Sequence, residues 1–486
     1  MVRERPSRPQ LLRPGLRVHL VGVGGSGMSA IARVLLGRGY GVSGSDAARN
    51  ELTEALAAEG ATIYQGHAAD HIRAAELVVY SSAIPADNPE LVAARAAGIP
   101  TLKRADLLGE LMEGSIGIAV AGTHGKTTTT AMIAHILMEA DLDPTAILGG
   151  TLPGLGAAGA NGRVGEGPYF VVEADEYDHM FLGLRPEVAV ITNIEHDHPD
   201  IFPTPRAYLD AFRAFTGRLP DSGHLIACTD DAGALALLSN GEWPGVELTT
   251  YGLNDLPATA RLGEHLHYRA SDVQPNPLGG SDFVVSQGGQ TIGLARLRVP
   301  GLHNVRNALA AVVVGLDLQV EFPQICRALA SFGGVQRRFQ VIGEASGVTI
   351  VDDYAHHPTE IRTTLAAARQ RYPGRRLWAV WQPHTFSRTR LLGRQFADSF
   401  ADADRVIVLD VYRSRETDDP GVSATGIVAL MNHPNAVHIA EKAAAASYVL
   451  ERVHPDDVIV TLSAGDGNEV GRLVMEGLQT RQGERG

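Results

Sequence analysis

The chain has 486 residues, of which 44% are apolar and 20% charged, with a formal net charge of −13. That length exceeds one ordinary core and asks for about three domains, and the composition is globular rather than disordered. The acidic balance, with no block of like charges to offset it, excludes a nucleic-acid-binding surface, and no apolar stretch approaches a membrane span.

Met1 to Pro14 is basic and proline-bearing without an apolar core, so it reads as a loose lead-in rather than a secretory signal. A cytoplasmic protein, monomeric or weakly dimeric, is expected. Cys228 and Cys326 lie too far apart to suggest a disulfide framework or a metal cluster. Only three lysines occur, Lys103, Lys126 and Lys442.

The first domain is expected over residues 15–113. Arg17 to Val23 forms an apolar strand that ends in Gly22-Val23-Gly24-Gly25-Ser26-Gly27 and leads into a helix through Met28, Ile31, Ala32 and Leu35. Gly22, Gly24, Gly25 and Gly27 let a diphosphate approach the backbone, and Asp46 at the end of the next strand is placed to accept a ribose hydroxyl. NAD and a UDP-sugar satisfy that physics equally. Leu77 to Tyr80 reads as a further strand; Ser81 and Ser82 at its exit either contact ligand or cap the following helix. His67 and Arg104 read as surface polar groups.

The second domain is expected over 114–332. The strand Ile116 to Ala121 runs into Gly122-Thr123-His124-Gly125-Lys126-Thr127-Thr128-Thr129, and a helix follows. This strand–turn–helix arrangement gathers helix-start amides around one point and favours a phosphate there. Lys126 can reach terminal phosphates, and the Thr127 hydroxyl can coordinate magnesium. Val120 stands where the general Walker form has its first glycine. Two more strands end on polar clusters: Tyr169 to Val172 on Glu173-Ala174-Asp175-Glu176, and Val188 to Ile191 on Thr192-Asn193-Ile194-Glu195-His196-Asp197-His198. Glu173 is placed to hold magnesium. His196 and His198 lack the companions of a tetrahedral zinc site; His198 suits a hard metal shared with phosphate, and His196 reads as a hydrogen-bonded loop residue. Beyond Leu225 the strands look short and irregular. His303-Asn304-Val305-Arg306-Asn307 opens a helix whose amide side chains either meet a base edge or cap it.

The third domain is expected over 333–486, after a hinge at Gly333-Gly334. Arg337 and Arg338 offer two guanidinium groups for phosphate. The strands at Val348 to Val351, Trp378 to Trp381, Val406 to Leu409 and Val458 to Leu462 alternate with helices, and two exit into Asp352-Asp353-Tyr354-Ala355-His356-His357-Pro358 and Gln382-Pro383-His384-Thr385-Phe386-Ser387-Arg388.

From Gly22 to Asp466 these stretches resemble the Mur ligases, ATP-dependent amino-acid ligases of bacterial cell-wall synthesis. Gly122 to Thr127 and Asp353 to Pro358 carry the resemblance most specifically, with Thr192 to Glu195 and His303-Asn304 in support. The resemblance implies an α/β protein of three domains: a Rossmann-like UDP-binding domain, a central phosphate-loop ATPase domain with a parallel sheet, and a C-terminal Rossmann-like α/β domain. It implies UDP rather than NAD on the first glycine loop. It assigns Gly122 to Thr128 with Lys126 to ATP, and Thr127, Glu173 and His198 to magnesium. Asn304 and Asn307 then lie near adenine, and Arg338 and Asp353 reach the ATP phosphates and ribose. Tyr354, His356, His384 and Arg388 line the substrate and amino-acid pocket, with Lys126, His198, Arg338 and His356 catalytic.

Family members that add later residues carry a modified lysine downstream of their Asp-His-x-Asp stretch. Asp197 to Pro220 contains no lysine, which fits the branch that adds L-alanine to UDP-N-acetylmuramate through an acyl phosphate. Three departures stand out: Glu176-Tyr177-Asp178, also found in the murein-peptide-recycling branch, Thr385 in place of an arginine, and Ser463 in place of a glycine. The alternatives are that recycling ligase, a UDP-sugar or NAD dehydrogenase, and a phosphate-loop ATPase that makes no bond.

Overall fold

Each of the three domains is built on a sheet whose strands run mainly parallel, and each sheet places its reactive residues at the strands' carboxyl ends. The computed structural model describes residues 12–156, 160–257, 262, 265–414, 416–419 and 421–483. The lead-in lies outside the described residues as far as residue 11. The chain divides into two compact units. The first holds the described residues of Met1–Ile194 with Leu209–Tyr268 and Ala310–Ile325; the second holds Glu195–Tyr208, Arg269–Leu309 and the described residues of Cys326–Gly486.

In the first unit, β1 (Arg17–Val21), β2 (Gly41–Asp46), β3 (Thr62–Gln65), β4 (Leu77–Tyr80) and β5 (Thr101–Lys103) form a five-stranded sheet in the order β3-β2-β1-β4-β5. Strand β1 lies between β2 and β4 and is parallel to both, so its exit is the switch point where open α/β sheets bind ligand. The same logic recurs with β6 (Ile116–Ala121), β7 (Thr145–Ile147), β8 (Gly162–Arg163), β9 (Tyr169–Glu173), β10 (Val188–Ile191), β11 (His224–Cys228) and β12 (Glu247–Gly252). These strands follow the order β12-β11-β10-β6-β9-β7-β8. Parallel pairing of β6 with β9 and β10 sets the phosphate loop between the exits of its two neighbours.

The division between units falls within β13 (Leu266–Pro275). In the second unit, β14 (Ser281–Gln287) and β15 (Gln290–Leu297) form an antiparallel hairpin with a register shift at Val285/Ser286. These are long strands, contrary to the short ones expected, and the expected irregularity is confined in this pair to that shift. Side chains alternate in burial along β14 and over Leu294 to Leu297 of β15, a period-2 signal too short in β15 to stand out in the sequence.

The third domain's strands are β16 (Gln340–Ala345), β17 (Val348–Asp353), β18 (Leu377–Trp381), β19 (Arg405–Val408), β20 (Ala436–His438) and β21 (Val458–Leu462), in the order β16-β17-β21-β18-β19-β20. The edge strands β16 and β20 carry no apolar run and were not legible in the sequence. Central strands buried on both faces read as mainly apolar runs, although β17 and β21 also bury Thr349 and Thr461. Leu377, Ala379 and Trp381 face one core with Phe396 and Phe400, while Trp378 and Val380 face the other with Val449 and Val474. Truncating Trp381 to Ala is expected to cost about 3–5 kcal/mol. Among the described residues, no helix is long and apolar enough to cross a membrane.

Candidate active site

The first glycine loop is held by its neighbouring strand ends. Gly22 and Val23 both donate their N–H groups to the Ser45 carbonyl, at 2.8 and 3.0 Å. Gly24 donates to Asp46 Oδ2 at 2.8 Å. A Cβ at Gly24 would stand 2.9 Å from that oxygen, so the glycine permits the carboxylate's close approach. Asp46, expected to accept a ribose hydroxyl, therefore also shapes the loop. Ser81 lies beside Gly22, its Cβ 3.4 Å from where a Gly22 Cβ would stand. The next helix, Pro89–Ala96, is capped by Asn88 and not by either serine, which removes the capping alternative for Ser81 and Ser82.

Two residues read as surface polar groups are engaged instead. Arg104 donates to Asp175 Oδ2 at 3.0 Å, and a Cβ at Gly27 would run into its guanidinium. His67 lies 3.1 Å from Glu90, a fully buried carboxylate that also pairs with His71. Isolated polar letters in a sequence do not reveal partners that the fold supplies.

The phosphate loop is fixed by the exit of β10. Thr123 donates its N–H to the Asn193 carbonyl at 3.1 Å, and His124 donates its own to Asn193 Oδ1 at 2.8 Å. Thr192 and Asn193 side chains both donate to the His124 carbonyl. Gly122 has φ +143°, and a Cβ there would lie 3.0 Å from the Asn193 oxygen. The helix Lys126–Glu139 starts at Gly125 with no side-chain cap, which leaves the positive end of its dipole facing the loop.

Lys126 folds over this loop, donating to the carbonyls of Gly122 and Thr123 at 2.5 and 3.1 Å and pairing with Glu176 at 2.8 Å. Burial opposes its charge, but Glu176, Asp175 and Glu173 more than offset this and raise the ammonium above its ordinary value. Glu176 went unassigned in the sequence; its place three residues beyond Glu173 at the β9 exit was the available signal. Thr127 Oγ1 donates to Glu173 Oε1 at 3.0 Å. Burial is the main reason Glu173 titrates above its ordinary range. A desolvated carboxylate beside a hydroxyl, both hard oxygen donors, suits a divalent cation.

The two loops are linked through Gly149. Its N–H donates to Glu173 Oε2 at 2.7 Å, and its carbonyl accepts from Ser26 Oγ at 2.5 Å. Asn161 adds a bond to the Ser26 carbonyl at 2.7 Å.

In the second unit, Asp197 accepts two bonds from Arg388, and both side chains are buried. Arg388 also donates to the His384 carbonyl at 2.8 Å. The His198 ring lies 3.8 Å from Asp197, and its backbone has φ +54°. His196 bonds the Phe202 carbonyl at 2.7 Å, the loop role expected of it. Tyr354, His356, His384 and Tyr412 form a row of ring contacts, with centroids 5.5, 6.0 and 5.5 Å apart in turn. Burial, aided by Arg388, lowers His356 to about 3 and His384 to about 4, so both imidazoles are neutral near pH 7.

Glu360, missed in the sequence, organises this region. Its carboxylate accepts the N–H groups of His356 and His357 at 2.9 and 3.2 Å and faces Arg338 at 3.7 Å. It completes a capping box with His357 on the helix Pro358–Arg371, and the spacing of His357 and Glu360 was its sequence signal. Arg338 and Arg337 both stack on Tyr354 at 5.1 Å. Arg337 donates to Asp352 and to the Ser463 carbonyl. Asp353 accepts from the backbone of Phe339 and Ala355 at 2.7 and 2.8 Å. Asn304 donates to the Pro300 carbonyl at 2.7 Å, and Asn307 donates to Asn304.

Comparison with known proteins follows this geometry along the chain. Residues 17–115 match the Mur ligase family catalytic domain, 120–315 the Mur ligase middle domain, and 337–465 the Mur ligase glutamate ligase domain. UDP-N-acetylmuramate–L-alanine ligase of Roseiflexus sp. (strain RS-1) is 45% identical over 96% of this chain and 99% of its own. The enzyme of the same name from Renibacterium salmoninarum is 44% identical over 96% of each chain. The crystal structure of UDP-N-acetylmuramate-alanine ligase from Thermotoga maritima superposes with a TM-score of 0.79 at 29% identity, covering 96% of this chain and 100% of that one. A murein peptide ligase from Psychrobacter arcticus gives 0.69 at 26% identity, covering 96% and 99%. With all three of its domains matched and full-length relatives at this identity, the chain belongs to the Mur ligase family.

Proposed function

We propose that this chain joins L-alanine to UDP-N-acetylmuramate at the expense of ATP, giving UDP-N-acetylmuramoyl-L-alanine, ADP and phosphate in peptidoglycan precursor synthesis. The observation that carries this reading is the full-length likeness to enzymes named for that reaction. The family excludes the dehydrogenase and the bond-free ATPase, and the murein peptide ligase is the weaker of the structural likenesses.

A carboxylate is a poor acylating agent. In this reading the lactyl carboxylate of the sugar attacks the γ-phosphorus of ATP, expelling ADP and leaving an acyl phosphate. The alanine amine then attacks the acyl carbon; phosphate leaves, and the amine's proton passes to solvent or phosphate. The first glycine loop, with Asp46, Ser81 and Ser82, is assigned to the UDP moiety. The Gly122 to Thr128 loop holds the phosphates, and Lys126 neutralises charge as it moves toward the leaving oxygens. Arg338 adds a guanidinium for phosphate, and Arg388 supports recognition of a carboxylate.

Thr127 and Glu173 would hold magnesium, and His198 is the further donor proposed; the ion supplies charge neutralisation at the phosphates. His356 and His384, neutral and weakly basic, serve as hydrogen-bonding groups for the incoming amino acid rather than as its general base. A cytoplasmic location is part of this reading. The test is to offer UDP-N-acetylmuramate, ATP and magnesium with each amino acid in turn and weigh the product. Phosphate release that ignores L-alanine would sink the reading.

A further inference from the structure

The ring of Tyr412 is about a third exposed and packs against His384 and Gly465. One face stacks on His384, with centroids 5.5 Å apart and planes 11° from parallel. Gly465 also abuts the ring, since a Cβ there would stand 2.6 Å from Tyr412 Cγ. The Tyr412 N–H donates to the Pro383 carbonyl at 2.8 Å, so the backbone is pinned beside the His384 turn. Ser463 holds the glycine turn beneath, accepting the N–H groups of Gly465 and Gly467 at 3.0 and 3.1 Å.

Tyr412 also lines a cavity of about 340 Å³. Among the described residues, its walls carry four carboxylates, Asp410, Asp418, Glu441 and Asp466, against two cations, Arg413 and Lys442. Lys442 is already shared between Asp466 at 2.6 Å and Glu469 at 2.5 Å. Asp410 also faces His438 at 2.7 Å and Asp418 faces Arg413 at 3.9 Å, and the excess of carboxylates that remains favours an added cation over an added anion or an apolar group.

Resting on the ligase reading above, we propose that Tyr412 is the specificity wall of the amino-acid pocket. Its ring restricts the substrate to a small side chain, and the acid-lined cavity behind it accepts a longer, ammonium-bearing side chain once the ring is gone. Tyr412 acts by occupying space against His384, so the ring and not its hydroxyl is what matters.

The experiment compares wild type, Tyr412→Phe and Tyr412→Ala, measuring phosphate release and product mass with L-alanine, L-ornithine and L-norleucine. The last two differ in charge but hardly in side-chain length. Wild type and the phenylalanine variant should use alanine and reject both longer amino acids. In Tyr412→Ala the kcat/KM ratio of ornithine to alanine should rise about tenfold or more, and norleucine should gain much less. An unchanged ornithine ratio overturns the wall, and an equal gain for norleucine overturns the acid-lined cavity. If Tyr412→Ala loses its thermal unfolding transition, Tyr412→Val is read by the same criteria. Failure of wild type itself to couple alanine refutes the ligase reading instead.

Discussion

Arg388 and Asp197 form a two-pronged ion pair, Nε to Oδ1 at 2.8 Å and Nη2 to Oδ2 at 3.2 Å, with both side chains under a tenth exposed. The guanidinium holds Asp197 well below the usual carboxylate range despite burial, which pushes the other way. Asp197→Ala leaves a buried guanidinium uncompensated and is expected to cost about 3–5 kcal/mol in denaturant unfolding. Arg388→Lys, which keeps charge but not the fork, should raise the KM for alanine with less loss of stability. Equal stability of Asp197→Ala and wild type would contradict this account.

Lys126→Ala is expected to abolish alanine-dependent phosphate release. Binding of UDP-N-acetylmuramate should remain nearly intact, because the first glycine loop is held by Ser45 and Asp46. Calorimetric titration of the UDP-sugar checks the second half. Comparable loss of both activities would refute the separation of the two loops.

Gly122→Ala combines φ +143° with a close backbone oxygen of Asn193. A strained backbone of this kind costs about 1–3 kcal/mol, and the loop must shift to relieve it. ATP binding should weaken by more than tenfold, on the order of 1.4 kcal/mol or more, with UDP-sugar binding retained. An unaltered ATP titration would show that the loop tolerates the side chain.

Magnesium removal offers a fourth check. Chelation should stop turnover, and Glu173→Gln should raise the magnesium concentration for half-maximal rate by more than tenfold, since one anionic oxygen donor is lost. An unchanged magnesium requirement in that variant would remove Glu173 from the proposed ligand set.

The pH dependence of stability has a sign that can be worked out. Burial first of all lowers His303 to about 4, His356 to about 3 and His384 to about 4, from an ordinary 6.5. Below 6.5 the unfolded chain binds protons that the folded rings refuse, so stability falls as pH drops toward 4. Asp353 acts oppositely: burial raises it from 3.8 to about 6, so its retained proton favours the fold across that window. Three rings outweigh one carboxyl. Thermal midpoints should decline between about pH 6.5 and 4.5, and His384→Asn should flatten the slope; a midpoint that rises on acidification would contradict the assignment.

What the sequence determined by itself was local: apolar runs, glycine turns and the polar residues immediately after them. A strand buried on both faces is largely apolar, so β6, β10, β18 and β21 were readable even though β21 buries Thr461. Gly122 to Thr127 announced a phosphate loop because strand, turn and helix are contiguous in the chain. Edge strands β16 and β20, and the alternating hairpin β14–β15, lacked that contrast.

The tertiary structure alone decided the partners. Glu176 closes on Lys126 across 50 positions, Asp197 on Arg388 across 191, and Ser26 on Gly149 across 123. No local pattern encodes such pairs, since hydrogen bonds and ion pairs act through a few ångströms of space. Only folding brings those positions within reach, and the carboxyl ends of parallel strands are where it does so.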